Sequence, residues 1–116
     1  MANPTKVITF LYPLAGDVQD RIRVTALKQK ATILKFVVQY EALIHGEWQA
    51  IVRYDTSHGF AHKDIIHYNK TEDKQPLYFQ SFNMAFTFAI QDLKTSWSWY
   101  RMAYEREIEN EERYSS

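Results

Sequence analysis

Hydrophobic and polar residues alternate along the first two-thirds of the chain, and the period then changes. Residues 6–12 form a short apolar run between Pro4 and Pro13, which predicts an edge strand. Residues 13–20 connect it onward, with Gly16 and Asp17 at the turn. Residues 21–28 alternate, with Ile22, Val24 and Ala26 pointing one way. After a turn at 29–31, residues 32–44 predict the longest strand, with Leu34, Phe36, Val38, Tyr40, Ala42 and Ile44 on one face. Residues 48–55 predict its partner, with Trp48, Ala50, Val52 and Tyr54 inward. A three-residue turn at 45–47 pairs Ile44 with Trp48 and Tyr40 with Val52. A two-residue turn pairs Tyr40 with Ile51 and mixes the faces, so the three-residue turn is expected.

Residues 56–61 read as a loop and 62–68 as a further strand. Residues 69–76 are polar without a period, which predicts a mobile loop. From Ser81, a plausible N-cap, the period becomes helical: Phe82, Phe86, Ala89, Leu93, Trp97, Tyr100 and Tyr104 recur at steps of three or four. The glutamates after 105 oppose the helix macrodipole, so fraying is expected beyond Ile108. The expected fold is α+β: an antiparallel β-meander of four to five strands under one long C-terminal helix, in a single domain over 1–116 with residues 1–5 and 109–116 frayed.

Bulk composition narrows the function classes. The 116 residues suit one domain, and 16% aromatics mark it as globular. A formal net charge of zero leaves no overall field to attract a polyanion, so nucleic-acid binding must rest on a local patch. With no cysteine there are no disulfides, thiolate nucleophiles or Cys-type zinc sites. No signal peptide or membrane-spanning apolar run is visible, so a cytoplasmic protein is expected.

Candidate chemistry gathers in residues 52–64, where Asp55, His58, His62 and Asp64 lie close in sequence. These are acid–base or ligand side chains. His58, His62 and Asp64, with Asp55 near them, offer nitrogen and oxygen donors suited to zinc, manganese or another divalent ion. Without metal, a histidine beside a carboxylate can move protons, with Arg53 or Lys63 as the cation near a phosphate. The competing reading is structural: Asp55 caps the loop through backbone amides, and the histidines bond loop carbonyls. On the outward sheet face, Arg21, Arg23, Lys35 and Arg53 form either a phosphate-contacting patch or an ordinary solvated face with Glu41 as partner. Trp97 and Tyr100 belong to the helical stripe and are expected in the core, whereas Trp99 is off it. Exposed edges of a single sheet predict a homo-oligomer.

The succession Arg53-Tyr54-Asp55, His58-Gly59, His62 and Asp64 resembles that of TumE-like toxin–antitoxin proteins, over about residues 37–104. The resemblance implies a small prokaryotic cytoplasmic protein acting on or binding RNA. The matching positions are Arg53, Tyr54, Asp55, His58, Gly59, His62 and Asp64; from the residues' own chemistry, Asp55, His58, His62 and Asp64 are the catalytic candidates, and Arg53, Tyr54 and Lys63 the substrate-binding ones. A cognate protein partner would suit the same setting. The alternative is a non-enzymatic protein-binding or assembly module whose loop is structural.

Overall fold

The computed structural model describes residues 4–16 and 18–115, so the expected turn at Asp17 and the chain ends at 1–3 and 116 lie outside the described residues. Among the described residues six strands precede one helix: β1 (Thr5–Pro13), β2 (Asp20–Gln29), β3 (Thr32–Ile44), β4 (Glu47–Asp55), β5 (His62–Ile66) and β6 (Glu72–Pro76). They form one antiparallel sheet in the order β1-β2-β3-β4-β5-β6. A single helix, α1 (Phe82–Ser115), crosses one face of it. No helix among the described residues is long and apolar enough to cross a membrane.

The alternation in β2, β3 and β4 becomes the core. Ile22, Val24, Ala26, Phe36, Val38, Tyr40, Ala42, Val52 and Tyr54 are buried on the helix side. From α1, Ala85, Ala89 and Leu93 are sealed against them. Two alanines at the line of contact let the helix axis come close to the sheet. Larger rings pack on either side, Phe86 edge-on to Phe36 at 5.5 Å and Trp97 to Tyr40 at 6.2 Å. Ser81 is the N-cap: its Oγ accepts from the Met84 amide at 3.2 Å.

Polar clamps fix the helix in register. Asn83 holds the β2–β3 turn, accepting from the Ile33 amide at 2.8 Å and donating to the Ala31 carbonyl at 2.7 Å. Asp92 accepts from Tyr54 and Tyr100, both at 2.6 Å. Arg101 donates to Asp20 at 2.8 Å, and Asp20 also accepts from buried Tyr40. Glu107 accepts from the Tyr68 amide at 2.8 Å and meets His67 at 2.7 Å.

Three features depart from the alternation pattern. The β3–β4 turn has two residues, not three: Ile44 pairs with Glu47, and His45 and Gly46 both take positive φ (52° and 80°). A bulge between Tyr40 and Glu41 inserts Ile51, so Tyr40 still meets Val52 and Val38 still meets Tyr54. Up to the bulge β4 is therefore turned over: Trp48 stands opposite Leu43 on the outer face, half-exposed under the Arg21 guanidinium at 3.7 Å, while Ile51 is buried. A second irregularity, between Leu27 and Lys28, leaves Leu34 without a pairing partner and exposed.

The sheet has six strands instead of four to five because residues 72–76, expected as a loop, pair with β5. This strand has no apolar face, and its five residues are all exposed, so the main-chain ladder holds it. The helix also continues past Ile108 to Ser115. The Glu107 clamp lies close to that point, and Arg113 places a cation in the last turn.

A candidate metal centre on the uncovered sheet face

Strand alternation splits the 53–64 stretch between the two faces of the sheet. Tyr54 points to the helix and donates to Asp92. Its neighbours Arg53 and Asp55 therefore point away from it. Asp55 stands opposite His62, and Arg53 opposite Asp64. Directly opposed residues share a face, so Asp55, His62 and Asp64 meet on the side that no helix covers. Lys63 goes the other way: its Nζ donates to Tyr100 at 2.6 Å and lies 3.8 Å from Asp92.

The three outer side chains converge closely. One donor atom from each of Asp55, His62 and Asp64 lies within 4.8 Å of the others. His62 Nε2 is 2.9 Å from Asp55 Oδ1 and 3.5 Å from Asp64 Oδ2. Side-chain exposure is only 9%, 3% and 2% for Asp55, His62 and Asp64. Yet His62 Nε2 is buried with no aligned hydrogen-bond partner. Closeness and bonding disagree here because a hydrogen bond needs the donor's hydrogen to point at the acceptor. The two separations from His62 Nε2 match another arrangement. Donors about 2.1 Å from one ion stand about 3.0 Å apart at a right angle and about 3.4 Å apart at a tetrahedral angle.

Local structure holds the donors. Asp55 ends β4 and closes an Asx turn, its Oδ1 accepting from the Ser57 amide at 3.1 Å and the Ser57 hydroxyl at 3.0 Å. Here the capping role expected for Asp55 and its place in the cluster coexist. His62 Nδ1 stands 3.5 Å from the Phe60 carbonyl. His58 is not part of the converging group. Its ring centroid lies 5.4 Å from that of His62, beside exposed Phe60, and the residue itself is exposed.

Sequence reasoning missed Lys74, whose Nζ is 3.4 Å from both oxygens of Asp64. It stands opposite Asp64 in β6, the strand that the polar pattern concealed. Two buried carboxylates with one half-exposed lysine at long range are poorly compensated, and buried charge of this kind is costly unless paired or metal-bound. Arg53 donates to Gln39 at 2.8 Å and reaches Glu72 at 3.4 Å, which places a cation beside the cluster.

The basic outward face is a bonded network. Glu41 accepts from Arg21 at 2.7 Å, Arg23 at 3.0 Å and Gln39 at 2.6 Å. Burial pushes the Glu41 carboxyl up, but hydrogen bonds from Arg23, Arg21 and Gln39 outweigh it and hold it below its usual value. On the helix side, burial first and the bond to Asp92 second push the Tyr54 phenol far above its ordinary range, so it remains a donor.

No curated protein and no solved structure matches this chain. A family model does match, over residues 2–110, and the chain belongs to that family, described as Domain of unknown function (DUF7718).

Proposed function

We propose that this domain binds one divalent metal ion through Asp55, His62 and Asp64, and that the bound ion serves phosphodiester chemistry on RNA. The observation that carries the metal is His62 Nε2, buried and unpartnered between two carboxylates. A mixed nitrogen and oxygen donor set suits zinc or manganese. Three protein donors leave coordination positions for water and a phosphate oxygen, and a bound ion lowers the pKa of its water. Arg53 and Lys74 flank the cluster and supply cations for the phosphate. His62 favours this reading over metal-free acid–base work. A His–Asp pair that shuttles protons needs an aligned bond, and the 2.9 Å approach to Asp55 lacks one. RNA as the substrate class, and a cytoplasmic toxin–antitoxin or defence setting, rest on the resemblance to TumE-like proteins.

Elemental analysis of the chain, purified without metal-affinity resin and dialysed against zinc or manganese, tests the metal. About one ion per chain is expected, with loss in His62→Ala and Asp64→Asn variants that keep the wild-type circular dichroism. A folded wild-type chain that takes up neither ion overturns the proposal. Labelled RNA incubated with the loaded chain, with and without chelator, tests the substrate. Chelator-sensitive cleavage is the expected result, and RNA left intact by a loaded chain removes the phosphodiester reading.

A further inference from the structure

The two edges of the sheet are built differently. The outer edge at β6 reads Glu72-Asp73-Lys74-Gln75-Pro76, with charge along its length and a proline at its end. Such residues keep an edge from pairing with another chain. The edge at β1 ends in Pro13 and has Lys6 near its start, but its inner stretch, residues 7–12, has neither charge nor proline. Val7 is 65% exposed, Leu11 49%, Phe10 40% and Tyr12 41%, so apolar side chains project on both faces of a strand that β2 pairs on one edge only. Lys6 is its one charged residue. A long apolar edge with free main-chain groups is a pairing surface.

We infer that β1 pairs with β1 of a second copy, antiparallel about a two-fold axis at Thr9, to give one continuous twelve-stranded sheet. The sequence of the strand is self-complementary in this register. Val7 faces the partner's Leu11 on the outer side, and Ile8 faces the partner's Phe10 on the inner side. Lys6 faces the partner's Tyr12, and the prolines at 4 and 13 fall at or beyond the ends of the paired segment. Aliphatic and aromatic cross-strand pairs of this kind stabilise sheets. Full overlap gives about eight main-chain hydrogen bonds, close to the ~10 of a typical interface. A zero net charge raises no repulsion between copies. Val7 also lines an outer-face groove with Leu27, Val37, Lys35, Thr56 and Ser57, the last bonded to Asp55. In the dimer the partner's Leu11 extends the groove wall at Val7.

Light scattering on the full-length chain tests the dimer, which should have twice the 13.8 kDa chain mass. Two charge variants test the register. Val7→Lys with Leu11→Lys sets like charges opposite each other and should give monomers. Val7→Glu with Leu11→Lys sets opposite charges together and should restore the dimer. Both sites are exposed, and circular dichroism checks the fold of each variant. A monomeric wild type overturns the inference. Monomers from both variants overturn the Thr9 register. A dimer that persists in both overturns the edge and shifts the contact to the exposed helix residues Met84, Phe88, Trp99 and Met102.

Discussion

Arg101 anchors the C-terminal half of the helix to the far end of the sheet, and its removal gives a sharp stability test. Its Nη1 donates to Asp20 at 2.8 Å and to the Gln19 carbonyl at 3.2 Å, and its Nη2 donates to the Leu43 carbonyl at 3.2 Å. Asp20 is 4% exposed at its side chain and Arg101 18%. In Arg101→Met the buried carboxylate keeps the Tyr40 hydroxyl, which burial and Asp20 together hold protonated. It loses its cation. Breaking a buried ion pair from one side costs about 3–5 kcal/mol. The partial exposure of Arg101 lets water reach the gap, which favours the lower end, about 3 kcal/mol. With a urea slope of about 1.5–2 kcal/mol per molar, the unfolding midpoint should fall by roughly 1.5–2 M. Circular dichroism in urea reads that midpoint, and fluorescence in a Trp48→Phe, Trp99→Phe background reports locally, because the Trp97 ring packs on Tyr40. Adding Asp20→Asn to Arg101→Met should recover a large part of the loss, since the uncompensated charge is then gone. A single-variant loss below about 1 kcal/mol would refute the anchor.

Two further outcomes follow from the other clamps. His67 sits between Glu107 and Asp73, each at 2.7 Å, and bonds to Glu107 first and Asp73 second raise its pKa above 6.5. The raised folded value means that its stabilisation is fully present below about pH 6.5 and is lost as pH rises through that folded value. Urea midpoints taken from about pH 6 to pH 9 should fall in the wild type, and His67→Ala should flatten that part of the profile; equal slopes in the two proteins would remove the clamp from the argument. At Asp92, replacement by Leu leaves Tyr54 and Tyr100 without their shared acceptor and Lys63 without its nearby carboxylate, so a cost of about 2–4 kcal/mol is expected. Tyr54→Phe, which removes one bond and keeps the acceptor, should cost about 1 kcal/mol. The reverse order in thermal or urea unfolding would contradict the network.

The legible part of this chain is the part governed by period. Apart from Leu34, alternation through β2 and β3 marked the core residues from Ile22 to Ala42, and the change to helical spacing at Ser81 marked α1. What escaped depends on contacts outside any period. Trp48 fits an inward alternation, but a bulge at Ile51 turns it outward, where it lies under the Arg21 guanidinium. Bulge placement is a pairing property, invisible in one strand alone. Residues 72–76 carry no apolar face, so only the ladder to β5 reveals them as a strand. With β6 hidden, Lys74 could not be placed opposite Asp64. The cluster itself was half legible. His62 and Asp64 are two apart on one strand and must share a face, whereas the addition of Asp55 needs the β4–β5 pairing that puts it opposite His62.

That pairing also separates two kinds of buried polar group. On the helix side, Asp20 and Asp92 accept short bonds from Tyr40, Arg101, Tyr54 and Tyr100, and none of these groups lacks a partner. On the open side, Glu41 is likewise bonded by two arginines and a glutamine. The protein therefore satisfies its buried carboxylates wherever they serve the fold. His62 Nε2 breaks that pattern: Asp64 beside it accepts long bonds from Lys74 at 3.4 Å, but the imidazole nitrogen has no aligned partner. A purely structural site at this depth would gain from replacement by well-packed apolar residues, as buried ion pairs often do. Among the described residues the unpartnered buried side-chain atom is His62 Nε2, and it lies between the carboxylates of Asp55 and Asp64 on the uncovered face.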